Sequence, residues 1–129
     1  MIECWGKKSL WAGEEEVIVQ DNEGMTKKGY SPISGAYYSA RLAACEYLTT
    51  VRRCARVIVI RSISGDYWAP LGTWVIREAT RKAMRGPSIT CPSIDAAVAQ
   101  AVSILGSDRW VKHSTLIPEL RTQRTLFHF

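Results

Sequence analysis

Apolar positions along the chain follow two periods, and these divide it into elements. Glu16-Val17-Ile18-Val19-Gln20 reads as a short strand inside an irregular or β-rich opening segment of residues 1–34, and Asp21-Asn22-Glu23-Gly24 behind it is a turn signal. Over residues 36–54, Ala40, Ala44, Tyr47, Leu48 and Val51 recur at helical spacing, with Ser34 placed to cap and Arg52-Arg53 suited to a helix C-terminus. Arg56–Ile63 is an unbroken β-branched run, the pattern of a central strand covered on both faces, and Ser64-Gly65-Asp66 ends it. A second helix is expected over 71–85, with Pro70 before it and Gly86-Pro87 after it. A third is expected over 93–105, capped by Ser93, faced by Ala97, Val98, Ala101, Val102 and Leu105, and stopped by Gly106. The order β-α-β-α-α predicts an α/β or α+β domain: a small sheet with about three helices packed on it. The expected division is one globular domain over 1–108 and a C-terminal tail over 109–129, where periodicity weakens.

Composition fits that picture and narrows it. With 129 residues, 47% hydrophobic and 22% charged, the chain has the makeup of one ordinary folded domain. No apolar run approaches the roughly 20 residues of a membrane span. Glu3 and Lys7-Lys8 interrupt any apolar stretch after Met1, so neither a secretion signal nor a membrane partner is expected, and the expected location is cytoplasmic and nucleoid-associated. Seventeen Lys and Arg against 12 Asp and Glu give a net charge of +5, which favours an anionic partner. The four cysteines form no C-x-x-C, so neither metal nor cofactor is expected; Cys45 and Cys54 read as small buried hydrophobes.

Candidate chemistry gathers in two places. On the 71–85 helix, stepping 100° per residue puts Leu71, Val75, Ile76, Ala79 and Ala83 on one side, and Arg77, Arg81 and Arg85 on the other with Trp74 among them. Such a ridge suits phosphate contacts plus stacking on a base or sugar, or equally a solvated face in which Glu78 pairs with Arg81 or Lys82. Trp68 is expected in the core. No nucleotide-binding loop, nucleophile elbow or metalloprotease motif is present, so an enzyme is not the favoured reading. Glu46, Asp66 and Glu78 are the carboxylates that a nuclease-like alternative would have to bring together.

The second place is the C-terminus, Gln123-Arg124-Thr125-Leu126-Phe127-His128-Phe129. The spacing Q-x-x-L-x-x-F resembles the PIP box, by which replication and repair proteins bind the sliding clamp PCNA. A single 3₁₀ turn sets residues i and i+3 on one face, so Leu126 and Phe129 can share an apolar pocket. Phe127 adds a second ring, and the Gln123 amide can reach a polar pocket one turn earlier. The motif usually carries two consecutive aromatics; here Phe129 is the first.

Three stretches also resemble the C-terminal region of the archaeal Nre family: Gly35-Ala36-Tyr37-Tyr38-Ser39-Ala40-Arg41-Leu42, Glu46-Tyr47-Leu48, and Tyr67-Trp68-Ala69-Pro70-Leu71-Gly72-Thr73-Trp74-Val75-Ile76-Arg77-Glu78. That resemblance, over roughly Gly35 to Phe129, implies a role in DNA repair and a terminal clamp-binding motif. The resemblance does not extend to the family's N-terminal, cysteine-rich region, so no activity housed there is implied. The expected function is a repair or replication accessory that binds PCNA through its tail and contacts DNA through a basic helix. The alternatives are a nucleic-acid-processing enzyme recruited by the same tail, and a protein-interaction module of viral or mobile-element origin.

Overall fold

Four residues near the start of the chain organise the sheet. β1 (Ile2–Trp5) is buried along its whole length and has a neighbour on each side. β2 (Val17–Gln20) pairs with it antiparallel, Ile2 opposite Gln20 and Trp5 opposite Val17. β3 (Ile60–Ile63) pairs with it parallel, Ile2 opposite Ile60 and Trp5 opposite Ile63. The computed structural model describes residues 1–24 and 29–123. Only the last four residues of the Arg56–Ile63 run are strand, and they lie on the sheet edge rather than at its centre. The central position falls to β1, whose short Ile-Glu-Cys-Trp pattern carries little strand signal by itself.

α1 (Gly35–Thr50) joins β2 to β3. Its buried positions are Ala36, Tyr37, Ala40, Ala43 and Ala44; the first three cluster with Ile33 and Ile76, and Met1, Val19 and Val59 pack against that cluster. Small residues on this face let a second helix come close. An added Cβ on Gly35 would lie 2.6 Å from the Thr73 Cγ2, so the contact with the start of α2 (Thr73–Arg85) requires glycine there. α1 ends four residues before the expected Cys54. The Arg52 and Arg53 amides turn back to donate to the Thr49 and Leu48 carbonyls, with Arg52 in the left-handed region at φ 51°.

α2 is turned relative to the expected face. Its buried residues are Ile76 and Thr80, with Arg77, Arg81 and Met84 half-buried, whereas Ala79 and Ala83 are exposed. The alanines carry the apolar pattern but little area, so Ile76 and the Thr80 methyl decide which side packs. The Thr80 hydroxyl donates to the Ile76 carbonyl, which satisfies it inside the interface.

The chain divides into two compact units, with the boundary after Ser88. The second holds α3 (Ile94–Leu105), a 3₁₀ turn at Arg109–His113, and α4 (Leu116–Thr122). The α3 caps form as expected: the Ser93 hydroxyl accepts from the Ala96 amide, and Gly106 closes the helix at φ 70°. α3 has no fully buried residue; Val98, Ala101, Val102 and Leu105 of its expected face are half-buried and Ala97 is exposed. Within the weakly periodic stretch after 108, Arg109–His113 and Leu116–Thr122 are helical, with Trp110 and Ile117 buried and the Trp110 indole donating to the Ser107 carbonyl. Among the described residues the architecture is therefore mixed α/β: a three-stranded sheet and four α-helices, one more than the pattern indicated.

Because Ile76 rather than the alanine side holds α2 in place, Ile76→Ala should lower unfolding free energy by about 2–5 kcal/mol. Ala79→Gln should change it by no more than about 0.5 kcal/mol. Urea denaturation of both variants checks this; a larger loss from Ala79→Gln would restore the original face.

Candidate nucleic-acid interface

Arg81 is the most highly connected side chain on α2. Its Nε and Nη2 donate to Glu46 Oε2 and Oε1 on α1, each at 2.7 Å, and its Nη1 donates to Glu78 Oε1 at 2.6 Å. The first two bonds form the planar fork that guanidinium and carboxylate geometry favours. This hydrogen bonding holds the Glu46 carboxyl below the usual carboxylate range, with the charges of Arg81, Arg77 and Arg85 adding to it, and holds the Arg81 guanidinium charged. The pattern Glu46…Arg81, 35 residues apart, carries no sequence signal of a pair.

Two of the expected nucleic-acid contacts thus have local occupations. Arg81 faces α1 and is bound to two carboxylates. Arg77 is partly covered: its Nε is buried without a hydrogen-bond partner, 3.6 Å from Glu78 Oε1. Arg85 and Trp74 stand on the open side, Trp74 with 60% of its surface exposed. Glu46 and Glu78 meet on Arg81, while Asp66 lies in the turn after β3, where the Ser64 hydroxyl donates to it. Among the described residues, no group of three or more His, Cys, Asp and Glu is placed to hold a metal ion.

Glu46 meets Arg81, and Gly35 meets Thr73, so α1 and α2 run parallel and end together. Residues 41–56 and 77–85 hold eight of the 17 Lys and Arg and two of the 12 Asp and Glu, a net +6 in a chain of net +5. The chain's positive charge is therefore concentrated on these two segments. Cys45 and Cys54 are exposed here, contrary to expectation, because the alanines of α1 take the buried face and the helix stops before Cys54. Cys4 is the buried thiol, pushed up to about 11 by burial, then by the nearby Glu16 and Glu3.

The other end has different chemistry. Beyond the C-terminal ends of β1 and β3, Trp5 packs edge-on against Trp11 and Tyr67, with ring centroids at 6.3 and 6.1 Å. Arg61 lies over Trp5 and Tyr67 and pairs at 2.9 Å with Glu3, a buried carboxylate that also accepts from the Trp5 indole. Trp68 is not in the core but 79% exposed. The tight turn after β3, closed by the Tyr67 and Trp68 amides on the Ser64 and Asp66 carbonyls, sends Tyr67 inward and its neighbour outward. Trp11 and Leu71 are exposed as well. Residues 3–16 and 61–72 carry three basic and five acidic side chains, so this aromatic end is net acidic. Of the expected clamp-binding residues, Gln123 is exposed at the end of α4, its backbone N–H donating to the Glu119 carbonyl; Leu126, Phe127 and Phe129 lie outside the described residues.

The family model described as "Archaeal Nre, C-terminal" matches residues 22–129. The chain belongs to the archaeal Nre family. It is 40% identical over 111 residues to the DNA repair protein NreA of Archaeoglobus fulgidus, covering 85% of this chain and 28% of that one. The DNA repair protein NreB of the same organism is 36% identical over 131 residues, covering 98% and 33%. The NreA of Haloferax volcanii is 34% identical over 110 residues, covering 81% and 26%. The chain thus spans about a third or less of the length of these relatives. No solved structure matches it.

Glu46→Gln should lower the melting temperature at neutral pH. A depressed carboxyl pKa contributes stability that is present above its unfolded value and lost as pH falls through the folded value. The gap between variant and parent should therefore narrow once pH drops below the usual carboxylate range. Thermal melts across pH test this; a gap that stays constant into acid would remove the ion pair as its cause.

Proposed function

We propose that this Nre-family chain is a DNA-repair accessory that binds the PCNA sliding clamp through its C-terminal residues and meets DNA through its basic helical face. Family membership, with relatives named as DNA repair proteins, is the observation that carries the repair role. The clamp contact rests on the spacing of Gln123, Leu126 and Phe129, with Phe127 beside them. Leu126 and Phe129 would fill one apolar pocket and the Gln123 amide a polar one.

The DNA contact rests on charge placement. Arg85 and the half-covered Arg77 are the members of the α2 ridge left to meet phosphate, with Trp74 as the stacking group; Arg81 positions α2 against α1. Nothing in the chain reads base edges in a known way, so binding is indifferent to sequence and weakens with salt. Work at the clamp places the protein inside the cell, at the nucleoid. No helix among the described residues is long and apolar enough to cross a membrane, in keeping with that placement.

Calorimetry against a purified archaeal PCNA tests the clamp arm. Leu126→Ala and Phe129→Ala should each cost more than about 1 kcal/mol of binding, because short motifs concentrate energy in buried apolar anchors. No binding by the parent chain, or binding untouched by the double variant, contradicts the proposal.

A further inference from the structure

We infer that the shared C-terminal end of α1 and α2 is the seat for a nucleic-acid phosphate backbone, with Arg52 and Arg53 as its principal contacts. This rests on the DNA-binding part of the proposed function and assigns it to residues outside the α2 ridge. Three observations converge. First, Arg52 and Arg53 line an open groove of about 540 Å³ together with Cys45, Leu48 and Cys54. Among the described residues, neither arginine has an ion-pair or side-chain hydrogen-bond partner, in contrast to Arg81. Second, because the helices are parallel, the exposed Lys82 and Arg85 at the end of α2 add their charge at the same end. The Arg85 charge reaches Glu46 on α1, the residue after Cys45 of the groove. A single small anion needs one such cation; a row of them along two helix ends matches successive phosphates.

Third, Arg52 occupies the position after the helix where glycine is the cheap residue. It sits at φ 51° in the closing turn, with its amide bonded to Thr49 and the Arg53 amide to Leu48. A left-handed backbone disfavours any side chain with a Cβ. The chain nevertheless carries a long cation there, held outward by the turn. Lys8 shares this backbone at φ 63°, so the conformation alone names no partner; at Arg52 it coincides with the groove and with the neighbouring Arg53.

The conformation also supplies the test. Arg52→Gly relieves the backbone and Arg53→Ser removes the second charge, so the double variant should melt at or above the parent temperature and remain folded. Its affinity for a fluorescently labelled random-sequence duplex, measured by anisotropy, should fall roughly tenfold to fiftyfold near 0.1 M salt. The slope of log affinity against log salt should become shallower by about 1.8, or about 0.9 for each lost contact. The matched control is Lys7→Ser with Lys8→Gly. Lys8 also has a left-handed backbone, at φ 63°, and the pair removes the same charge at the acidic aromatic end. It should leave the slope unchanged. Equal losses from both double variants would mean that only net charge matters and would overturn the inference. So would duplex binding that survives Arg52→Gly/Arg53→Ser, which leaves the DNA contact on α2 intact. Absence of duplex binding by the parent chain would overturn this inference and the DNA part of the proposed function, but not the clamp part.

Discussion

The Arg81 fork fixes the relation between α1 and α2, and much of the first unit depends on it. Two parallel helices place their negative C-terminal ends side by side, an arrangement that favours cations there. The same parallel pairing allows a bidentate bridge from the middle of α2 to the last turns of α1. The ridge that looks like three equivalent arginines is therefore three different residues: Arg81 ties the pair, Arg77 is half-buried, and Arg85 is exposed at the end of α2. The basic side chains at these helix ends face outward beside the local dipoles, with Lys82, Arg85, Arg52 and Arg53 all exposed.

The opposite end of the sheet is organised by a different interaction. Glu3, on the central strand, is buried beside Arg61, with Trp5 and Tyr67 covering the guanidinium. Desolvating such a pair costs much of what its attraction returns, so its value is in fixing geometry. It holds the two loops after β1 and β3 together, helped by the Leu10 amide donating to the Tyr67 carbonyl. Trp11 and Trp68 are carried outward on that support. The first unit thereby separates an acidic aromatic end from a basic helical end along the direction of α2. A polyanion drawn to one is repelled by the other.

Local signals were legible where one residue type decides the outcome. Ser93 and Gly106 bound α3, Gly86 ends α2, and the Val-Ile-Val of β2 forms a strand. What sequence reading missed depends on contacts between distant segments. β1 is central because two strands bracket it, which four residues cannot announce. The buried side of α2 depends on where Ile76 meets α1, and the alanines that share its apolar pattern have too little area to compete. Trp68 and Tyr67 are neighbours of like composition, and only the turn geometry sends one in and one out. Cys45 and Cys54 lie in an apolar-rich stretch, but Cys45 is on the side of α1 that the alanines leave open and Cys54 falls beyond the helix end. The candidate site was legible as a basic helix, while its division into committed and available cations was not, because Glu46 is 35 residues from Arg81.

The two ends of the first unit are chemically distinct, and the proposed DNA contact requires that nucleic acid meet the helical end and not the aromatic one. Nuclear magnetic resonance on the nitrogen-15-labelled chain, titrated with a short duplex, tests it residue by residue. The account predicts shifts at the amides of Arg52, Arg53 and Arg85, an Arg81 Nε–H that keeps its position, and indole signals of Trp11 and Trp68 that do not move. Shifts centred on those two indoles, or an Arg81 Nε–H that leaves its carboxylates on binding, would contradict it.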